Sequence, residues 1–117
     1  MDAGIAAFWP TLRGMFRKKR FDDLVKRQLD LFAEEERALL AEADEADDSW
    51  THASAEDSEE LYGDYQLVVD AIAERLLDVR EAYASSLDDP VADEYRATYD
   101  AAARKRFRRY AGLLEDD

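Results

Sequence analysis

Carboxylates outnumber every other chemically capable side chain here, and their spacing sets the first question. Glu42 and Glu45 stand three residues apart, as do Glu56 and Glu59. Glu60 and Asp64 stand four apart, and Asp70, Glu74 and Asp78 form a row in steps of four. Side chains three and four apart share a helix face. Each set could therefore offer paired oxygens to a hard cation and, through it, to phosphate. The enzyme this would make is a Mg²⁺- or Mn²⁺-dependent phosphohydrolase-like bundle, with Glu56, Glu59, Glu60 and Asp64 as its metal ligands. Composition weakens that reading, because residues 21–103 hold 25 acids and such spacings then arise by chance. The 70/74/78 row also lies off the neighbouring apolar stripe and is expected to face water.

The other reactive types are scarce. His52 is the sole histidine, next to Trp50 in a polar stretch, and there is no cysteine. One imidazole cannot build a two-histidine metal site, and a di-iron bundle needs Glu-x-x-His, which is absent. No serine stands in a nucleophile-turn motif that His52 could activate. His52 is expected to be a surface loop residue. No catalytic residue, metal or cofactor is expected. Six tyrosines, Tyr62, Tyr65, Tyr83, Tyr95, Tyr99 and Tyr110, could line a pocket for a flat ligand. Their helical spacing instead predicts core rings with hydroxyls reaching the rim.

Cations are concentrated in two runs, Arg17-Lys18-Lys19-Arg20 and Arg104-Lys105-Arg106-Phe107-Arg108-Arg109. Residues 1–20 carry a local +4, residues 21–103 a local −19 and the remainder a local +2. The formal total of −13 repels nucleic acid and anionic lipid at long range. A nucleic-acid site would need exposed cations along one face with stacking aromatics, whereas Phe107 and Tyr110 fall at core spacing. Nucleic acid is therefore not the expected partner. The first basic run follows an apolar segment in which Ile5, Phe8, Trp9, Leu12 and Phe16 fall on one helical face. Such an arm docks on its own bundle, on a partner or second copy, or on a membrane surface through residues 5–20. Pro10 and Gly14 interrupt or weaken its helix. The partner-binding candidates are Phe8, Trp9, Leu12, Phe16, Arg17, Lys18, Lys19 and Arg20.

The elements that must position these groups are helical. Ala, Leu, Glu and Arg dominate, β-branched residues are few, and no strand-like alternation occurs. Apolar residues make up 47% of 117 residues, enough for the core of one domain spanning residues 1–117. There is no apolar run long enough to span a bilayer. The charges of the N-terminus follow its apolar stretch, unlike a secretory leader. The cytoplasm is the expected location.

Periodicity places a first helix over 21–46, with Phe21, Leu24, Val25, Gln28, Leu29, Phe32, Leu39, Leu40 and Ala43 as one apolar stripe, dissolving into a polar connection at Asp44–Asp48. A second over 54–86 begins with a capping-box-like Ser54/Asp57 pair, with Leu61, Tyr65, Val68, Val69, Ile72, Leu76, Val79 and Tyr83 as its buried face. A third over 90–112 starts at Asp89 and Pro90, lines one side with Val91, Tyr95, Tyr99, Ala103, Phe107, Tyr110 and Leu114, and closes on Gly112. Short connections predict an all-α, antiparallel up-down-up three-helix bundle with an additional short N-terminal amphipathic helix or arm. On that bundle, Arg17–Arg20 face Asp88, Asp89, Asp93 and Glu94. Arg104–Arg109 lie by Glu42–Asp48 and Glu56–Glu60. The functional expectation is a non-catalytic, acidic interaction or accessory protein working through protein–protein contacts, with a protein partner or a homo-oligomer.

Overall fold

The computed structural model describes residues 20–115, and every regular element among them is helical. The elements are α1 (Asp22–Glu35), α2 (Arg37–Thr51), α3 (Ser58–Ala84), α4 (Asp89–Arg106), a 3-10 turn (Arg108–Tyr110) and α5 (Gly112–Glu115). Among the described residues no helix is long and apolar enough to cross a membrane.

The helix expected over 21–46 is broken at Glu36 and runs further, to Thr51. Glu36 leaves helical geometry (φ −102°, ψ 21°), although its N–H still reaches the Phe32 carbonyl at 2.8 Å. The turn lets α1 lie against α4 while α2 lies against α3. Arg75 of α3 holds it from outside, donating to both Glu36 carboxylate oxygens at 2.6 Å. Asp44–Asp48, expected as a connection, are helical. The extra turn carries Trp50 onto Tyr62 and Tyr65, with ring centroids 4.9 and 5.9 Å away. Aromatic contacts of this kind outweigh the mild reluctance of aspartate to be helical.

Ser54 and Asp57 bond to each other as expected, with the Asp57 N–H donating to Ser54 Oγ at 3.2 Å, yet α3 begins only at Ser58. At α4 the cap is Asp88, in extended geometry (φ −67°, ψ 151°), one residue before the expected Asp89. Pro90 still falls in the first turn, where its missing N–H costs nothing. The largest departure is at the other end of α4. The helix stops at Arg106, Phe107 turns out of it (φ −121°, ψ 51°), and Gly112 opens α5 instead of closing α4. No glycine among the described residues has positive φ, so Gly112 does not supply the left-handed cap expected of it. The break folds Tyr110, Ala111 and Leu114 inward, and all three are buried.

The core is one cluster. Val25, Leu29 and Phe32 of α1 meet Tyr95, Tyr99 and Ala103 of α4, with Ile72 and Leu76 of α3 fully enclosed. Phe21 packs edge-on to Tyr95 at 5.5 Å, and Phe32 edge-on to Phe107 at 5.4 Å, the geometry ring quadrupoles favour. The α1–α4 contacts therefore ascend together along both helices. Those of α2 with α3 (Glu36 to Arg75, Trp50 to Tyr62) and of α3 with α4 (Tyr83 to Tyr95, Leu76 to Tyr99) descend.

Candidate functional site

Of the partner-binding candidates, Phe8, Trp9, Leu12, Phe16, Arg17, Lys18 and Lys19 lie outside the described residues. Arg20 is described, and its Nη1 donates to Glu94 Oε2 at 3.2 Å. Glu94 was one of the acids expected opposite the first basic run. In the second run, Arg109 reaches Asp44 at 2.8 Å and Asp47 at 3.1 Å, both on α2 as expected. Arg106 departs from the expectation and bonds Asp30 of α1, because α4 lies along α1 at that height. That bond is the chief reason the Asp30 carboxyl is held below its ordinary range. Arg104, Lys105 and Arg108 make no ion pair among the described residues.

The carboxylate sets point outward. Glu56, Glu59, Glu60 and Asp64 are all exposed, as are Glu42, Glu45, Asp70, Glu74 and Asp78. Asp70 accepts a hydrogen bond from Gln66 at 3.0 Å. Among the described residues no three His, Asp or Glu side chains come together as a metal site would require. His52 stands at the C-terminal end of α2, exposed, with Nδ1 2.9 Å from the Asp48 carbonyl. Its contacts are with its own helix.

The tyrosines divide. Tyr95, Tyr99 and Tyr110 are buried. The Tyr95 hydroxyl donates to Gln28 at 2.7 Å and that of Tyr99 to the Leu76 carbonyl at 2.6 Å. Burial pushes the Tyr95 phenol up to about 12 and that of Tyr99 up as well. Neither is available for proton transfer near neutrality. Tyr62 is exposed, and packs with Trp50 and Tyr65 at the α2–α3 junction.

Two features escaped the reading of the sequence. The first is Arg80, buried at 6% exposure on α3. Its Nη1 spans both oxygens of Asp100 at 2.9 and 3.1 Å, and its Nε donates to Glu81 at 2.9 Å. Arg96 of α4 grips the same Glu81 through two nitrogens, at 2.9 and 3.0 Å, and reaches Asp93 at 3.3 Å. The Arg96 bonds are the main cause of Glu81 being held below the usual carboxylate range, and Arg80 adds to them. No buried side-chain nitrogen or oxygen among the described residues lacks a partner. With every acid matched to a guanidinium, this network clamps α3 to α4 and presents no carboxyl poised for acid–base work. The available signal was register. Arg80 stands four residues from both Leu76 and Ala84, on the buried face of α3.

The second feature is a groove of about 900 Å³ between α1 and α4. Val25, Leu29, Ala97, Ala101 and Ala102 give it an apolar floor, with Asp22 at one end and Lys105 and Arg106 at the other. No sequence pattern announced it, since it arises from small residues on one helix facing larger ones on another. No protein-family model, no curated protein and no solved structure matches the chain.

Proposed function

We propose that this protein is a non-catalytic interaction or accessory protein that works through protein–protein contacts between helical surfaces. The observation that carries the reading is the α1–α4 groove, an open trough with an apolar floor, Asp22 at one end, Lys105 and Arg106 at the other, and Lys26 on its α1 wall. Such surfaces suit helix-in-groove recognition, in which apolar anchors supply affinity and rim charges set orientation. Of the polar side chains lining it, Lys26 and Arg106 both bond Asp30 and the Thr98 hydroxyl donates to the Glu94 carbonyl. The architecture is read as an up-down-up bundle of α1/α2, α3 and α4 preceded by an amphipathic arm. The ascending α1–α4 contacts and the descending α2–α3 and α3–α4 contacts support it. Phe8, Trp9, Leu12, Phe16 and the Arg17–Arg20 run are the proposed contact residues of the arm, and a cytoplasmic setting is proposed with them.

The test is removal of residues 1–16. Light scattering on the eluting protein, and capture from a native lysate, should both change: a dimer should become a monomer, or co-purifying proteins should be lost. A truncated chain that keeps the oligomeric state and the partners of the parent would refute this reading.

A further inference from the structure

We propose that the groove between α1 and α4 is the seat of this chain's own N-terminal arm, with Phe8, Trp9, Leu12 and Phe16 laid along Val25, Leu29, Ala97 and Ala101. Three observations converge on that occupant.

The first is reach. The described chain begins at Arg20, held by Glu94 of α4, and Asp22, two residues on, already lines the groove. The segment before it therefore starts at one end of the trough. The groove runs over residues 22–29 of α1 and 97–106 of α4. At 1.5 Å per residue those stretches measure roughly 10 to 14 Å. Trp9–Phe16, started as a helix at Pro10, covers a similar distance, about 11 Å. Arg17–Arg20 supply the reversal, within the roughly two to eight residues usual between neighbouring helices.

The second is shape. Ala97 and Ala101 are exposed, and with Thr98 and Ala102 they leave α4 low over Val25 and Leu29, which are themselves nearly covered. A low strip of small side chains accepts rings laid against it, and the arm offers Phe8, Trp9 and Phe16.

The third is charge. A reversed arm brings Arg17–Arg20 against Asp22, Asp23 and Glu94 at the near end and carries Asp2 toward Lys105 and Arg106 at the far end. The opposite orientation sets the basic run against those two cations. A second, smaller groove of about 420 Å³ has Gln28, Leu31 and Glu35 on its α1 side and Val79, Ala82 and Tyr83 on its α3 side, and it lacks the cations at its far end that Asp2 would meet.

This inference rests on the interaction reading and sets its resting state, since an arm seated in its own groove meets a partner only once it is displaced, and the experiment separates the two. In Trp50→Phe, Trp9 is the sole tryptophan, and its emission and acrylamide quenching report its surroundings. Far-UV circular dichroism checks that the fold is kept. In the full-length chain Trp9 should be shielded at every protein concentration. Adding Ala97→Arg and Ala101→Arg, both at exposed helical positions, should raise its quenching severalfold. Four results overturn the proposal: Trp9 exposed in the parent, shielded only as concentration rises, shielded only when anionic vesicles are added, or shielded regardless of the groove substitutions. Should Trp50→Phe fail to fold, trypsin cleavage after Arg17–Arg20 in the otherwise natural chain replaces it. Cutting must then be severalfold faster in Ala97→Arg/Ala101→Arg, and equal rates refute the seat. A chain whose arm deletion loses a partner while Trp9 is exposed throughout would keep the function and lose this seat.

Discussion

Arg80 and Arg109 are the same ion doing two different jobs. Each bridges two helices and each meets two carboxylates. The Arg80 side chain is 7% exposed and its partner Asp100 13%, whereas Arg109 is 46% exposed and its partners Asp44 and Asp47 are 66% and 38%. Water sets the difference. At Arg109 the solvent screens the pair and can replace either partner, so exposed pairs of this kind add only about 0–1 kcal/mol. At Arg80 water does not stand in for a lost carboxylate, so the pair is costly to break even where forming it stabilised the fold little. The aromatic surroundings divide in the same way. Tyr95 and Tyr99 sit sealed near Arg80, while Trp50, Tyr62 and Tyr65 form a partly wetted cluster at the other end of α3.

The comparison is tested most severely at Asp100. Asp100→Leu should lower stability by roughly 3 kcal/mol in urea denaturation, the lower end of the range for a broken buried pair because Glu81 still holds Arg80. Adding Arg80→Met to the same chain should recover most of that loss. A single-variant loss no larger than an exposed pair's would erase the distinction.

Alkali probes the sealed tyrosines. Tyr95 is raised in the folded state, so its contribution is complete below the ordinary phenol range and drains away as pH climbs toward 12. About 2 to 3 kcal/mol should be lost over that interval. Phenolate absorbance should then appear together with loss of helical circular dichroism, and Tyr95→Phe should unfold at higher pH. Phenolate appearing early on an intact fold would show that the region is wetter than described. The smallest effect belongs to Arg109→Ala, which should cost about 0–1 kcal/mol, and less again in high salt. A loss rivalling that of Asp100→Leu would show that exposure does not separate the two sites.

The helical class and most of the core were legible because burial follows spacing. Val25, Leu29 and Phe32, then Tyr95, Tyr99, Ala103 and Phe107, recur at three and four residues and are buried. The turn at Glu36 was not legible, because Phe32 and Leu39, seven positions apart, keep helical register across it. The end of α4 was hidden for a related reason: Phe107, Tyr110 and Leu114 stay at helical spacing although the chain leaves the helix between them. Arg80 was missed because a charged residue reads as outward-facing, and Val79 beside it satisfies the stripe. Its acid, Asp100, follows a buried tyrosine on another helix, and no local pattern joins the two. The groove was equally silent, since it is made by the relief of two helices and not by either one.

The ascending contacts between α1 and α4 also fix an order of events. Arg20 to Glu94, Tyr95 to Gln28 and Arg106 to Asp30 close over separations of 74, 67 and 76 residues. The α2–α3 aromatic contacts close over a dozen or so. A ribosome extends a chain at on the order of 5–20 residues per second, so α1 emerges several seconds before the helix that covers it. During that interval the α2–α3 hairpin can form, whereas Val25, Leu29 and Phe32 stand bare to the cell. Docking of α1 onto α4 therefore waits on the last long helix made, and until then that stripe is the apolar surface open to a nascent-chain chaperone.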